Sequence, residues 1–232
     1  MQQKIMNTAV QKSTTLKKRV MVVDDHPIVR QGLSQLINQE HDIEVCCEAD
    51  SISDAMNTIL TCNPDIAIVD IALGQSNGIR LIEEMSQQHP NIPVLALSMH
   101  DESLYAERCL KAGAKGYIMK KEAPENVIVA LKKILKGDVH ISDVLSAKLL
   151  HKFIIQDKGD NRSPMDRLSN RELEVFEYIG KGLKTREIAA QLHLSIKTIE
   201  TYVDHIKKKM NFRDSRDLFM HAVKWSLDTD TK

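Results

Sequence analysis

Residues 66–70, Ile-Ala-Ile-Val-Asp, form the segment that decides the fold, because four apolar residues end in a carboxylate. The same pattern recurs three times, and each apolar run ends in polar residues: Val20–Val23 before Asp24 and Asp25, Val94–Leu97 before Ser98, and Tyr117–Met119 before Lys120. Such runs are typical of strands that helices cover on both faces. Parallel sheets bind ligands beyond the carboxyl ends of their strands, so we expect these polar residues to meet at one sheet edge.

Strand-like and helix-like segments alternate five times between residues 19 and 137. The strands are predicted near residues 19–23, 43–48, 65–69, 93–97 and 116–119, and the helices near 27–39, 51–62, 77–88, 101–112 and 124–136. Regular alternation of this kind predicts an α/β doubly wound, five-stranded parallel sheet.

Only helix-like segments follow the sheet region. Ser169 and Glu172 have the spacing of a capping box, and Ser195 is placed to cap a later helix that runs to about Met210. A short helix near residues 186–192, a tight turn and this longer, basic-ended helix form a helix-turn-helix signature. We therefore expect a small all-α domain after the sheet domain.

The chain divides into four predicted segments. They are a flexible basic tail (1–18), the sheet domain (19–140), a linker with a weak helix near 142–154 (141–164), and the helix-turn-helix domain (165–232). Residues 19–140 carry 11 basic and 18 acidic side chains, a net charge of −7, whereas residues 165–232 carry 13 and 11, a net of +2. This division favours a cation site followed by a module that binds a polyanion.

The four cysteines indicate a reducing environment. None of Cys46, Cys47, Cys62 and Cys109 forms a Cys-x-x-Cys pair, and adjacent Cys46 and Cys47 are predicted to point to opposite faces of a strand. We expect buried free thiols in the cytoplasm. The chain has no apolar stretch of about 20 residues and no signal-peptide core, so no membrane association is expected.

The carboxylates of the predicted sheet edge suit a divalent cation and a phosphoryl group. Asp25 and Asp70 can supply the hard oxygen ligands that Mg²⁺ prefers, with Asp24 acting through water. The Asp70 carboxylate can then attack a phosphoryl group, while Lys120 pairs with one phosphoryl oxygen and the Ser98 hydroxyl donates to another. His100 follows Ser98 by two residues and is expected to affect the access of water to the phosphorus.

This arrangement resembles the receiver domain of response regulators, a flavodoxin-like fold, over about residues 19–137. Val-Asp-Asp-His at 23–26, Asp70, Ser98 and Gly-Tyr-Ile-Met-Lys at 116–120 stand in the family's positions. The resemblance implies that Asp70 is the phosphoacceptor and that Asp25 and the Ala72 carbonyl are Mg²⁺ ligands. It also implies that Ser98 and Tyr117 form a switch pair. One departure is Leu-Gly-Gln-Ser at 73–76, where the family usually has Pro-Gly.

The predicted helix that ends near Met210 has the pattern of a recognition helix. Ile199, Val203, Ile206 and Met210 recur at helical spacing and should face the domain core. Glu200 and Asp204 can accept a hydrogen bond from a cytosine amino group, and basic residues at the edges suit phosphates. The predicted DNA-binding residues are Lys184, Lys197, Thr198, Glu200, Thr201, Asp204, His205 and Lys208.

Residues 168–175 and 197–202 resemble the LuxR-type helix-turn-helix, so the whole chain resembles a NarL/FixJ-type response regulator. The resemblance implies a phosphorylation-dependent transcription regulator that is not an enzyme. Its implied partners are a sensor histidine kinase and promoter DNA. A second copy of the chain is an implied partner in the phosphorylated or DNA-bound state, and RNA polymerase is a further candidate partner. The last helix, including Leu218, Val223 and Trp225, would form the dimer contact. One departure is Val203 and Asp204, where relatives often carry basic residues.

Three other functions are compatible with parts of the pattern. A Mg²⁺-dependent phosphatase with an Asp nucleophile would usually need a second acid two residues later, where this chain has Ala72. A flavin-binding module would need a phosphate loop after the first strand, where Asp24 and Asp25 would repel a phosphate. DNA binding that is independent of phosphorylation is opposed by the intact acidic set and Lys120.

Overall fold

The computed structural model describes residues 16–74, 77–100, 102–155 and 164–230. Its first part is an all-parallel sheet of β1 (Lys18–Val23), β2 (Ile43–Ala49), β3 (Ile66–Asp70), β4 (Val94–Ser98) and β5 (Gly116–Met119). The strand order is β2-β1-β3-β4-β5. The predicted doubly wound, five-stranded parallel sheet is therefore confirmed.

Five helices cover the two faces of the sheet: α1 (Pro27–Asn38), α2 (Ile52–Cys62), α3 (Gly78–Gln88), α4 (Glu102–Lys111) and α5 (Ala123–Leu135). Successive side chains of a strand point to opposite faces. Ile66 and Ile68 thus join the core formed with α1 and α5, whereas Ala67 and Val69 join the core formed with α2, α3 and α4. Because helices cover both apolar faces of the sheet, its polar side chains lie at the ends of the strands.

The segment after α5 returns to the edge of the sheet. The backbone nitrogen of His140 donates to the Lys115 carbonyl at 2.9 Å, and that of Tyr117 donates to the His140 carbonyl at 2.9 Å. The predicted weak helix is present as α6 (Asp143–Ile155), and Leu145 on it is buried. The first part of the predicted linker therefore packs on the sheet domain.

The C-terminal part consists of a 3₁₀ turn (Pro164–Arg167) and the helices α7 (Asn170–Gly180), α8 (Thr185–Gln191), α9 (Ile196–Met210) and α10 (Ser215–Asp230). The capping box at the start of α7 is formed, since Ser169 and Glu172 each accept a hydrogen bond from the other's backbone nitrogen. Ser195 caps α9 by accepting from the Thr198 nitrogen at 3.1 Å. The predicted helix-turn-helix domain is confirmed.

An irregularity in β2 corrects the prediction for the cysteines. Val45 pairs with Val20 but Cys47 pairs with Met21, so Cys46 is an extra residue in the ladder. Such a bulge removes the alternation of side chains between faces. Cys46 and Cys47 therefore lie close together, with their sulfurs 3.7 Å apart, and Cys47 is bonded to Cys62 as a disulfide. The expectation of opposite faces was therefore wrong. The expectation of free thiols was wrong for Cys47 and Cys62, whereas Cys46 and Cys109 are free thiols.

Three predicted features lie outside the described residues. They are residues 1–15 of the N-terminal tail, residues 75–76 of the loop that departs from the family pattern, and residues 156–163 of the predicted linker. Among the described helices, none combines the length and the apolar character that crossing a membrane requires.

Candidate functional site

Three charged side chains converge beyond the carboxyl ends of β1, β3 and β5. Lys120 Nζ lies 2.7 Å from Asp70 Oδ2 and 2.7 Å from Asp24 Oδ2. Asp24 and Asp70 are only 1% and 0% exposed, so the lysine is the charge partner of two buried carboxylates. The structure thus brings together three of the five polar residues that the strand-end pattern pointed to.

Burial is the main influence on the charge of Asp70. It raises the pKa of Asp70 from 3.8 to about 6, with the Lys120 charge acting to lower it and the Asp24 charge acting to raise it. Burial lowers the pKa of Lys120, but the charges and hydrogen bonds of Asp70 and Asp24 outweigh this and raise it above the ordinary value. Lys120 therefore stays charged beside a carboxylate of raised basicity, which favours nucleophilic attack by Asp70.

The acidic residues form a donor set that fits a hard divalent cation. Donor atoms of Asp24, Asp25, His26 and Asp70 all lie within 4.8 Å of one another. Within the described residues, Asp24 Oδ2 and Asp25 Oδ1 are buried but accept no hydrogen bond of good geometry. Nitrogens of Lys120 and His26 approach these two oxygens as ion-pair partners, at 2.7 and 2.8 Å. Carboxylate oxygens with free lone pairs are the ligands that Mg²⁺ prefers, so this set fits Mg²⁺.

His26 also belongs to this site, although the sequence pattern assigned it no role beyond its place in Val-Asp-Asp-His at 23–26. Its Nδ1 lies 2.8 Å from Asp25 Oδ1, and its backbone nitrogen donates to Asp24 Oδ1 at 2.8 Å. Its position directly after the two acids was the signal available in the sequence. The backbone nitrogen of Ala72 donates to Asp70 Oδ1 at 3.1 Å, and the Ala72 carbonyl stays a predicted metal ligand.

The two predicted switch residues are joined through the main chain of His100. The His100 nitrogen donates to Ser98 Oγ at 2.9 Å, and Tyr117 Oη donates to the His100 carbonyl at 2.8 Å. All three residues are buried. A reorientation of the Ser98 hydroxyl therefore changes its hydrogen bond with the His100 backbone, to which Tyr117 is also bonded.

The ring of His100 contacts the C-terminal domain. Its Nδ1 lies 3.1 Å from Glu177 Oε2 on α7, and the ring stacks on Tyr105 with centroids 4.6 Å apart. Glu177 Oε1 also accepts from Lys181 Nζ at 2.6 Å. The sequence did not predict this contact, because its partners are 77 residues apart. The predicted effect of His100 on water access stays a prediction.

The electrostatics of the His100–Glu177 pair favour its ionised form. Burial lowers the pKa of His100, but the hydrogen bond and charge of Glu177 outweigh this and raise it above the ordinary value. Burial raises the pKa of Glu177, but His100 and Lys181 outweigh this and lower it. Glu174 also raises the pKa of His100, and Lys181 acts in the opposite direction.

Two arginines extend the contact between the domains. Arg108 of α4 donates to three acceptors around the start of α7: the carbonyls of Met165 and Leu168 at 2.8 and 2.9 Å, and Asn170 Oδ1 at 2.8 Å. From the other side, Arg171 of α7 donates to the Gly74 carbonyl in the loop after β3 at 2.7 Å. The apolar core on the α2–α4 face also continues into the C-terminal domain. The two domains are therefore held by a buried ion pair, two arginines and a shared core.

The predicted DNA-binding residues lie on α9 and at the start of α8. Ile199 and Ile206 are fully buried, as their spacing predicted, so the opposite face of α9 is turned to solvent. Along that face Asp204 pairs with Lys207 at 2.8 Å. Thr198 is half-buried, and the other seven predicted contacts are exposed: Lys184, Lys197, Glu200, Thr201, Asp204, His205 and Lys208. Their roles stay predictions.

The predicted dimer residues on α10 differ in their accessibility. Leu218 is buried within its own domain, and Trp225 packs edge-on against Phe176 with ring centroids 5.5 Å apart. Val223 and Trp225 are partly exposed. Phe219 and Met220 are more exposed apolar side chains of the same helix. A dimer contact through α10 stays a prediction, and Leu218 is not accessible to a partner in this arrangement.

Comparisons with known proteins agree for both domains. Residues 20–132 match the family model of the response regulator receiver domain, and residues 166–222 match that of the bacterial regulatory proteins of the luxR family. The oxygen regulatory protein NreC of Staphylococcus epidermidis is 34% identical over 215 residues, which cover 90% of this chain and 98% of NreC.

Two solved structures are similar in fold. One is a two-component response regulator of the LuxR family from Aurantimonas sp. SI85-9A1, with 30% identity and a TM-score of 0.55 over 60% of this chain and 99% of that chain. The other is RcsB from Salmonella enterica serovar Typhimurium, bound to promoter rprA in the presence of the phosphomimetic BeF3⁻. It has 25% identity and a TM-score of 0.57 over 89% of this chain and 98% of that chain.

The match to NreC extends over nearly the full length of both chains, so it includes the receiver domain, the helix-turn-helix domain and the connection between them. The chain belongs to the two-component response regulators that join a receiver domain to a LuxR-type DNA-binding domain, and it is a transcription regulator of that family.

Proposed function

We propose that the chain accepts a phosphoryl group on Asp70 from a sensor histidine kinase and thereby controls the binding of its C-terminal domain to promoter DNA. The observation that carries this proposal is the position of Lys120 between two buried carboxylates, beside a donor set suited to Mg²⁺. Asp25, Asp70 and the Ala72 carbonyl would hold the ion, with Asp24 acting through water. The protein would work in the cytoplasm, as a regulator and not as an enzyme.

The chemistry at Asp70 is a transfer of the phosphoryl group from nitrogen to oxygen. A carboxylate oxygen of Asp70 attacks the phosphorus, the P–N bond of the donor's phosphohistidine breaks, and the imidazole leaves with the electron pair. Lys120 Nζ, 2.7 Å from Asp70 Oδ2, pairs with a phosphoryl oxygen and balances its charge. A bound Mg²⁺ supplies further charge neutralisation for the transferring group.

The link from the phosphoryl group to the domain contact runs through Ser98 and His100. In the described state Ser98 Oγ accepts a hydrogen bond from the His100 nitrogen. When the Ser98 hydroxyl turns to donate to a phosphoryl oxygen, this hydrogen bond weakens and the His100 segment is free to shift. Because Tyr117 and Glu177 both bind His100, the shift loosens the contact with α7.

Loosening of this contact allows the DNA-binding domain to change its position relative to the receiver domain. The outward face of α9 is already exposed, so the domain contact does not cover it. The contact fixes the position of the helix-turn-helix relative to the receiver. Two helix-turn-helix domains must lie at the spacing of two half-sites to bind DNA as a dimer. Release would permit that arrangement of two phosphorylated copies. The similar protein RcsB was solved bound to a promoter in the presence of the phosphomimetic BeF3⁻, which supports DNA binding by the phosphorylated form. RNA polymerase is then a further proposed partner.

Phosphorylation is expected to raise the affinity for DNA about tenfold or more, because it removes a restraint that opposes dimeric binding. The full chain would be incubated with acetyl phosphate and Mg²⁺, and its Kd measured by fluorescence anisotropy on duplexes selected from a random pool at fixed salt. The phosphorylated fraction would be followed by intact mass. Full phosphorylation with an unchanged Kd would show instead that DNA binding is independent of phosphorylation.

Lys208→Ala and Glu200→Ala are expected to affect DNA binding in different ways. Loss of the exposed Lys208 charge should weaken binding to all sequences and reduce the salt slope by about 0.9, the contribution of one phosphate contact. Loss of Glu200 should change which base is preferred at one position, since a carboxylate can accept from cytosine. Lys115→Ala, an exposed lysine of the receiver, is the matched control. A uniform loss of affinity in both α9 variants would contradict this division of roles.

A further inference from the structure

Three cysteine sulfurs meet where the bulge of β2 faces the end of α2. Cys47 is bonded to Cys62, and Cys46 Sγ lies 2.9 Å from Cys62 Sγ and 3.7 Å from Cys47 Sγ. The bulge is the reason that two adjacent residues of a strand can both reach Cys62. We refer to Cys46, Cys47 and Cys62 as the three-sulfur cluster. Nothing in the phosphorylation chemistry uses it.

We propose that the three-sulfur cluster is a thiol–disulfide exchange site in which Cys62 is the shared sulfur and forms a disulfide with either Cys47 or Cys46. The proposal rests on two facts of geometry. Cys62 already has one sulfur partner in a covalent bond, and the remaining thiol lies closer to Cys62 than to Cys47. It is independent of the function proposed for Asp70.

The exchange step causes no net oxidation or reduction, so it requires no outside oxidant. The Cys46 thiolate attacks Cys62 Sγ, the Cys46–Cys62 bond forms, and the Cys47–Cys62 bond breaks. Cys47 leaves as a thiolate and takes up the proton that Cys46 released. Formation of the first disulfide requires an oxidant, for which we name a low-molecular-weight disulfide such as oxidised glutathione. It is reduced to two thiols as Cys62 and one strand cysteine are oxidised.

The surroundings of the cluster suit slow, controlled exchange. Cys46 is partly exposed, so a small thiol can reach it. Burial raises the pKa of the Cys46 thiol, and the charge of Arg19 acts to lower it. Arg19 Nη2 also donates to the Cys62 carbonyl at 2.8 Å and so anchors the end of α2 beside β1. Exchange should therefore be faster at alkaline pH, where more of Cys46 is ionised.

Cys109 provides an internal reference within the same chain. It is fully buried on α4, and burial raises its pKa to about 12. A thiol in that environment stays protonated and does not react with a small disulfide in the folded protein. It should remain a free thiol in every variant, so any change in the number of reactive thiols reports on the three-sulfur cluster.

The test uses the full chain equilibrated in buffers of reduced and oxidised glutathione, with acid quenching, alkylation and intact mass analysis. Cys46→Ser, Cys47→Ser and Cys62→Ser would be compared with wild type, and circular dichroism would check the fold. We expect Cys46→Ser and Cys47→Ser each to retain one intramolecular disulfide. Cys62→Ser should need a glutathione ratio at least about tenfold more oxidising to form any.

Either of two results from the disulfide analysis would overturn the proposal. A fully reduced Cys47→Ser variant, under conditions that oxidise wild type, would show that Cys46 does not exchange with Cys62. A disulfide in Cys62→Ser at the wild-type glutathione ratio would show that Cys62 is not the shared sulfur. As a kinetic check that does not depend on the Cys62 variant, reduction of wild type by glutathione should be several-fold faster than that of Cys46→Ser. Equal rates would also contradict the exchange.

Discussion

Asp70→Asn is expected to abolish phosphorylation by acetyl phosphate, with labelling at least about a thousandfold below that of wild type. The side-chain amide keeps the shape of the carboxylate but is not a nucleophile, and it removes the negative charge that Lys120 and Mg²⁺ balance. The measurement is the time course of the acyl phosphate by intact mass at saturating Mg²⁺. The variant should also fail to gain affinity for DNA after incubation with acetyl phosphate.

Asp65→Asn is the matched control for this experiment. Asp65 precedes the same strand at its opposite end and pairs with Lys18 at 2.7 Å on the surface. Its replacement should leave the rate of phosphorylation unchanged, because surface ion pairs contribute little and Asp65 is remote from Lys120 along β3. Labelling of the Asp70→Asn protein at the wild-type rate would contradict the assignment of Asp70 as the phosphoacceptor.

A stability measurement separates loss of chemistry from loss of fold. Since the folded state holds the pKa of Asp70 at about 6 against an ordinary 3.8, about 3 kcal/mol of stability is lost as pH rises through this interval. Asp70→Asn has no charge to bury, so without divalent cations it should melt above wild type at pH 7.5. At pH 4 the two proteins should melt at similar temperatures. Calorimetry at both pH values measures whether the melting temperature of Asp70→Asn exceeds that of wild type only at pH 7.5.

His100→Gln is expected to raise the DNA affinity of the unphosphorylated chain by about tenfold to a hundredfold. Removal of one partner of a buried ion pair costs about 3–5 kcal/mol, because the other charge stays buried and unpaired. Here that cost falls on the state in which Glu177 is held against the receiver, since a released α7 exposes Glu177 to water. Part of the cost is recovered by the amide of glutamine, so the expected change lies below the full value.

A double-mutant cycle identifies the pair as the cause. Glu177→Gln should give a similar increase, and the double variant should be little different from either single variant, since both substitutions remove the same contact. His41→Gln, an exposed histidine of the receiver, should leave the affinity unchanged. Additive increases in the double variant would show that the two residues act separately, and no increase in any variant would contradict the restraint by α7.

The same pair predicts a dependence of DNA affinity on pH. The raised pKa of His100 means that its contribution to the domain contact is complete below pH 6.5 and is lost as pH rises through that pKa. The lowered pKa of Glu177 means that its contribution is lost only in acid, below pH 4.5. Unphosphorylated wild type should therefore gain affinity for DNA as the pH rises above 6.5, whereas His100→Gln should not. All other histidines are the same in both proteins, so the difference between the two pH profiles reports on His100.

The sheet and the pocket were predictable because each strand carries its own signal. The runs that end at Asp24, Asp70, Ser98 and Lys120 are continuous and apolar, and the chemistry of a parallel sheet lies where such runs end. The capping box at Ser169 was predictable for the same reason, since its partners are three residues apart. His26 was named only as part of the motif at 23–26 and was given no role, because a histidine in a turn carries little information by itself.

The bulge at Cys46 could not be predicted from the alternation of side chains. A strict period of two places Cys46 and Cys47 on opposite faces, and a single extra residue in the ladder cancels that rule. Nothing in the order of residues marks where the ladder with β1 slips by one position. The pairing of Cys62 with Cys47 depends on this slip and on the position of α2.

The sequence by itself determined the parallel sheet, the acidic pocket around Asp70 and the recognition helix, because each depends on residues close together in the chain or on a repeated pattern. Only the tertiary structure decided the contact of His100 with Glu177, the reach of Arg108 to the start of α7 and the three-sulfur cluster. The contacts with Cys62 and those between the domains join residues 15 to 77 positions apart. Their geometry follows from how whole helices pack, and local pattern does not encode the packing of one domain on another.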